Sequence, residues 1–237
     1  MAGREIAFRR HSLVTRVTHW VNLVALTGLL MSGLQILVAH PWLYWGEAGG
    51  SAWLHIANHG GNTAFPGWLT IPSHRDLATG RHWHFLFAWI LVVNGVLYLV
   101  SALATRHLTR DIIPSFADLS PRHLATDLWH HLKLQFPQGE AARHYNALQK
   151  ISYAGVLLFV IPLVVLTGMT MSPGFDAVAP WLLDLFGGRQ SARSLHFIGV
   201  NLILLFVVAH LGALLAVGVW NELRSMITGR YVIRVES

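Results

Sequence analysis

The chain contains no cysteine. That excludes disulfides, thiolate metal sites and cysteine-ligated iron–sulfur clusters. Charge is also scarce. Asp, Glu, Lys and Arg together make 12% of the 237 residues, about half the share of a soluble domain, while 54% are hydrophobic. A chain of this composition is expected to be an integral membrane protein of single-domain size. Acidic residues are the rarest charged class, 11 against 17 basic ones, for a net charge of +6. Such an excess could signal nucleic acid, but the basic residues flank apolar runs instead of gathering with aromatics in a polar stretch. That is the positive-inside pattern, and no nucleic-acid partner is expected.

Histidine is abundant, with fifteen copies. At that density in a membrane chain it points to metal or haem, because imidazole is the commonest nitrogen ligand. The apolar run Ser194–Gly212 is broken by His196 and His210. Fourteen helical residues span about 21 Å and bring the two side chains back to nearly one face. Ionisable side chains inside a span are expensive and mark function by default. Their alternative is a hydrogen-bonded core role.

Four spans are expected, over about 13–38, 82–104, 148–171 and 194–220, as an all-α four-helix membrane bundle in one domain, 1–237. The first run is long enough to span and lacks a small-residue cleavage site, so it reads as a retained helix. Pro162 should kink the third span. A polar connection holds a short surface helix around Leu124–Leu134, with His130 and His131 exposed and given no ligand role. The long loop Ala39–Arg81 is rich in Trp, Pro and Gly. Trp and Tyr favour the headgroup level, so parts of it are expected as short helices on the membrane. Thirteen of the seventeen basic residues lie on the side of the two termini and the middle connection. Both termini should therefore be cytoplasmic, with the Trp-rich loop outside.

This topology sorts the histidines by depth. His19, near the start of the first span, falls with His210 toward the cytoplasm, and His82 or His84 falls with His196 toward the outside. His82 and His84 point to different faces of a helix, so at most one looks into a shared core. Each layer offers two imidazoles from different helices, the axial set of a six-coordinate haem b that transfers electrons without binding oxygen. Zinc fits less well, since it wants three or four ligands in one place. Gly28, Gly33, Gly95, Gly199 and Gly212 would allow close backbone approach, as ordinary helix packing also does. Arg16, Arg81 and Arg193, at span ends, are candidates for pairing with haem propionates.

These residues resemble the bacterial di-haem cytochrome b561 family, which includes the membrane subunits of nickel–iron hydrogenase, formate dehydrogenase and thiosulfate reductase. The likeness covers all four spans. It rests on the His196/His210 spacing, His19-Trp20, Gly80-Arg81-His82-Trp83-His84-Phe85 and Tyr145-Asn146-Ala147-Leu148-Gln149-Lys150. Gly80–Phe85 and Met226-Ile227-Thr228-Gly229-Arg230-Tyr231 look most like cytochromes that serve periplasmic molybdopterin oxidoreductases. The resemblance favours His84 over His82, because the family's ligand precedes the Phe. It implies two haem b groups and a conduit in the bacterial inner membrane, between the quinone pool and a periplasmic redox partner. Asn146 and Lys150 match the motif that lines a quinone pocket. The long loop departs from the family, and its His55 or His59 would contact a partner or close a second quinone pocket. Two other functions compete. One is a superoxide oxidase that feeds ubiquinone, with Arg75, Arg81, Arg189 or Arg193 steering the anion. The other is a non-redox helix-bundle transporter with incidental histidines.

Overall fold

The computed structural model describes residues 4–46, 51–56, 65–133, 135 and 145–235. Four helices are long and apolar enough to cross a membrane: Leu13–Ala39, Leu77–Ala104, Ala147–Thr170 and Arg189–Val217, with hydropathies of 1.9 to 2.5. Their apolar side chains face outward; Leu97, Val100, Leu205 and Val208 are 58–68% exposed. In water that would be a severe cost. In lipid, which is as apolar as leucine, it is the expected arrangement.

The chain order is strand β1 (Arg4–Arg9), helix α1 (Leu13–Ala39), strands β2 (Trp42–Leu43) and β3 (Leu54–His55), then helices α2 (Leu77–Ala104) and α3 (Pro121–Leu132). Helices α4 (Ala147–Gly155), α5 (Ile161–Thr170), α6 (Pro173–Val178), α7 (Trp181–Leu185), α8 (Arg189–Val217) and α9 (Val219–Thr228) follow, and strand β4 (Arg230–Val235) ends the series.

Two spans begin earlier than their hydropathy suggests. Helix α2 starts at Leu77, not 82, because the Asp76 carboxylate accepts the Thr79 N–H at 3.1 Å as an N-cap. Helix α8 starts at Arg189, not 194, just after the positive-φ pair Gly187-Gly188. It stops at Gly218, whose φ of +118° no ordinary residue adopts easily. In the third span the backbone opens into a π-turn over Val156–Val160, immediately before Pro162. The proline lacks an N–H and its ring crowds the preceding turn. The surface helix is α3, with Pro121 in its first turn. In the Trp-rich loop, where short helices were expected, the described residues form a two-stranded ribbon and one short 3-10 helix at Gly67–Leu69.

By contact the chain divides into two compact units, and each long helix contributes a segment to both. The first comprises Met1–His19, Leu97–Val160 and Ile203–Ser237. Its core packs Ala102, Leu108, Ile112 and Ala154 under Tyr98, Tyr145 and Tyr153. Its ribbon pairs β1 with β4 antiparallel, from Arg4↔Val235 to Arg9↔Arg230. Tyr231 and Ile233 on one face are buried, and the Arg10 guanidinium lies 4.4 Å over the Tyr231 ring while pairing with Glu222 at 3.2 Å.

The second unit comprises Trp20–Val96 and Ile161–Leu202. Inside it the amide of Asn94 donates to Asn22 at 2.7 Å, joining α1 to α2. The β2–β3 ribbon is held to α8: Trp53 Nε1–H donates to Ser194 Oγ at 2.9 Å, and Ser194 donates to the Tyr44 carbonyl at 2.6 Å.

Candidate functional site: paired histidines

In the second unit His84 of α2 and His196 of α8 face each other, with ring centroids 6.3 Å apart. Two imidazoles on one six-coordinate metal need two bonds of about 2 Å and about 1.1 Å from each nitrogen to its ring centre, roughly 6 Å in all. The spacing would let the two imidazoles hold one metal between them.

Both rings are anchored through Nδ1. Ser32 commits its hydroxyl proton to the Gly28 carbonyl at 2.6 Å, so its oxygen accepts from His84 Nδ1–H at 3.0 Å. His196 Nδ1–H donates to the Val164 carbonyl at 2.9 Å, with Thr167 Oγ1 at 3.2 Å. A carbonyl acceptor dictates the tautomer and leaves the Nε2 lone pair for a metal. Two glycines give the rings room: a methyl group at Gly33 would lie 3.5 Å from His84 Cε1, and one at Gly168 would lie 3.3 Å from His196 Cε1. Haem thus fits the residues present. Among the described residues no three His, Asp or Glu side chains converge on a metal position, as a zinc site would require.

His82 is exposed on α2. Arg81 is exposed and Arg193 half-buried; the Arg193 guanidinium donates to Gln190 at 3.1 Å. Burial, then the charges of Arg193 and Arg81, push His40 below its ordinary value. Arg189 is taken up by Asp176. His55 stacks on Trp42 with centroids 3.7 Å apart, and His59 lies outside the described residues.

In the first unit His19 stands on α1 and His210 on α8. The His210 ring stacks on Phe206 at 5.8 Å and meets Tyr153 edge-on at 6.4 Å. Arg16, one turn before His19, donates Nη1–H to the Ile227 carbonyl at 2.8 Å. Its Nε is buried without a partner. An unsatisfied buried donor is costly, and a carboxylate of a bound group would satisfy it.

Asn146 is the N-cap of α4. Its side chain accepts the Gln149 N–H at 2.8 Å and Gln149 returns a bond to the Asn146 N–H, a complete capping box. Lys150 pairs with Asp118 at 2.9 Å. The Ser115 N–H and then Lys150 hold the Asp118 carboxyl down at about 2. His130 is exposed, whereas His131 donates Nδ1–H to the Asp127 carbonyl and lies 3.3 Å from the Asn146 amide. Of the glycines, Gly28 and Gly199 admit Phe87 and Val164, as helix packing does, while Gly95 and Gly212 face open space. Ser32, Thr167 and Gly168 are contributors that the sequence did not flag.

Membrane-length helices bearing imidazoles anchored at Nδ1 are what a membrane cytochrome of the b type requires. The chain belongs to the prokaryotic cytochrome b561 family, which matches it over residues 10–229. The family binds haem b, and with four membrane-length helices the chain is a multi-pass protein of the bacterial inner membrane. It is similar to a putative protein-methionine-sulfoxide reductase subunit, YedZ1, of Azospira oryzae. The two are 32% identical over 199 residues, covering 82% of this chain and 84% of the relative. No solved structure matches the chain.

Proposed function

We propose that the chain binds two haem b groups, one between His84 and His196 and one between His19 and His210. It would pass single electrons between the quinone pool and a redox partner outside the membrane. The observation that carries this reading is the 6.3 Å separation of His84 and His196, with both Nδ1 positions taken by helix hydrogen bonds. Haem held by these imidazoles would supply one-electron iron chemistry.

The chain's own residues divide the remaining work. Ser32 and Val164 hold the rings in the ligating tautomer and raise their basicity. Arg16 in one unit, and Arg81 with Arg193 in the other, offer donors to propionates. Asn146 and Lys150 are the candidates for the quinone, each also serving the fold as cap or ion pair. The Azospira relative is named as a subunit of a reductase, which supports a catalytic protein as this chain's partner. The arginine distribution supports an outer position for the His84/His196 pair.

The test is a reduced-minus-oxidised spectrum with pyridine haemochrome quantitation, on the wild type and single alanine variants. Wild type should hold two haems per chain. His84→Ala and His196→Ala should each remove one, His19→Ala and His210→Ala the other, and His82→Ala neither. A haem-free wild type, or a His84→Ala protein with both haems, refutes the assignment.

A further inference from the structure

Outside the histidine sites, the first unit carries a basic concavity to which the cytochrome reading gives no role. Arg9 of β1 and Arg230 of β4 stand directly opposite each other in the ribbon. Like charges at such a pair are destabilising unless something neutralises them. Arg224 of α9 joins Arg230 in lining an open concavity of about 560 Å³, whose wall includes Ala7, Thr228 and Val232. An adjoining hollow of about 520 Å³ shares Ala7, Thr228 and Arg230 and adds Arg9. Among the described residues no acidic side chain lines either one. Among the described residues none of the three arginines forms an ion pair.

The group is built rather than loose. Asn221 clamps β4 by donating to the Val232 carbonyl at 2.8 Å and accepting the Val232 N–H at 3.1 Å, and the same Oδ1 receives the Arg224 guanidinium at 2.6 Å. Thr228 donates to the Arg224 carbonyl at 2.7 Å and accepts the Arg230 N–H at 3.2 Å. Gly229, at a φ of +82°, makes the tight turn between α9 and β4.

Position along the chain points to the ligand. Helix α9 follows the membrane-length helix α8 after the single residue Gly218, so it leaves the membrane surface directly. On α9, Trp220, Arg224 and Ile227 are spaced to share one face. Trp220 is 86% and Ile227 65% exposed. An aromatic and an aliphatic side chain flanking an arginine form an interfacial anchor: the apolar pair enters the acyl boundary and the guanidinium stays with the phosphates.

We infer that Arg9, Arg224 and Arg230 form a binding site for the headgroup phosphate of an anionic phospholipid. Guanidinium forks match a phosphodiester in geometry as well as charge. A zwitterionic headgroup brings its own cation and is disfavoured.

The experiment uses the full-length protein, measuring the ratio of phosphatidylglycerol to phosphatidylcholine retained from mixed vesicles of the two, by native mass spectrometry. Wild type should prefer phosphatidylglycerol. The double variant Arg9→Gln/Arg230→Gln should lose about fivefold of that preference per arginine, and Arg9→Lys/Arg230→Lys should recover most of it. Arg122→Gln, on α3 outside the concavity, should match wild type. Haem content and melting temperature in phosphatidylcholine report whether each variant is folded, and the lysine variant keeps the test decisive if the glutamine variant is not. Equal retention in wild type and Arg9→Gln/Arg230→Gln overturns the proposal. So does displacement of the lipid by equimolar glycerol phosphate, which would make the ligand a free phosphoanion.

Discussion

Gly168 offers a way to separate cofactor binding from fold stability. A methyl group there would stand 3.3 Å from His196 Cε1 and 3.6 Å from Nδ1, so the ring must retreat by a few tenths of an ångström. Retreat lengthens the 2.9 Å bond from Nδ1 to the Val164 carbonyl, worth about 1 kcal/mol. Overpacking by the bulkier valine costs about 1–3 kcal/mol in total. Helix propensity acts in the other direction, because replacing glycine by alanine in a helix gains about 1 kcal/mol. The effects are therefore expected to diverge. Gly168→Ala should unfold no more readily than wild type, whereas Gly168→Val should hold haem about 5–150-fold less tightly at the second-unit site. Haem transfer to an excess of apoglobin reads the affinity, and redox titration separates the two proposed sites. The control is Gly95→Val, since nothing lies within 4 Å of a Cβ there. If Gly168→Val holds haem at wild-type affinity and potential, the contact with His196 has no bearing on the cofactor and the argument fails.

Three further outcomes are expected. Burial, then the charges of Arg10, His107, His19 and Arg16, lowers His11 from 6.5 to about 4. The unfolded chain then takes up a proton near pH 6.5 that the folded one refuses until near pH 4, so stability falls as pH drops through that window, by up to about 3 kcal/mol. Melting curves followed by tryptophan fluorescence at pH 7 and pH 5 should show this drop in wild type and a smaller one in His11→Gln. Ser32→Ala removes one acceptor of His84 Nδ1–H, makes the imidazole a weaker donor to iron, and should raise the potential of the haem held there by tens of millivolts, about 0.5–1.5 kcal/mol; an unchanged titration curve counts against the ligand assignment. Asn146→Ala should cost about 1 kcal/mol through loss of the cap, and Asn146→Ser should restore it. If the amide also binds quinone, Asn146→Ser will keep a raised KM for quinol despite its recovered stability; a normal KM leaves Asn146 a cap only.

The fold was legible where one force dominates. Mean hydropathy over about twenty residues locates a span regardless of context, because the bilayer rewards nothing else so strongly. Helix ends follow different chemistry. Asp76 caps α2 through one hydrogen bond, a signal present in Asp76-Leu77-Ala78-Thr79 but masked by the Pro- and Trp-rich residues before it. The terminal ribbon was illegible for another reason. Arg4–Arg9 and Arg230–Val235 each alternate as a strand does, yet neither names a partner more than two hundred residues away. Pairing across such a distance depends on how the helices bring the ends together, and no local pattern encodes that.

The site divides along the same line. Periodicity permitted one of His82 and His84 to face inward, since two residues on a helix turn the side chain by about 200°. Which one does so depends on the rotation of α2 about its own axis, and that rotation is set by contacts such as Asn22 with Asn94 and Phe87 against Gly28. Ser32, Thr167 and Gly168 went unnoticed because each is an ordinary helix residue until its neighbour is known. A serine bonded back to its own helix is commonplace. It becomes an anchor for an imidazole only when His84 approaches from another helix. Ligands can be nominated from a sequence because an intramembrane imidazole is costly and conspicuous. The groups that hold the imidazole in its working tautomer carry no such cost, so only the packing of one helix against another reveals them.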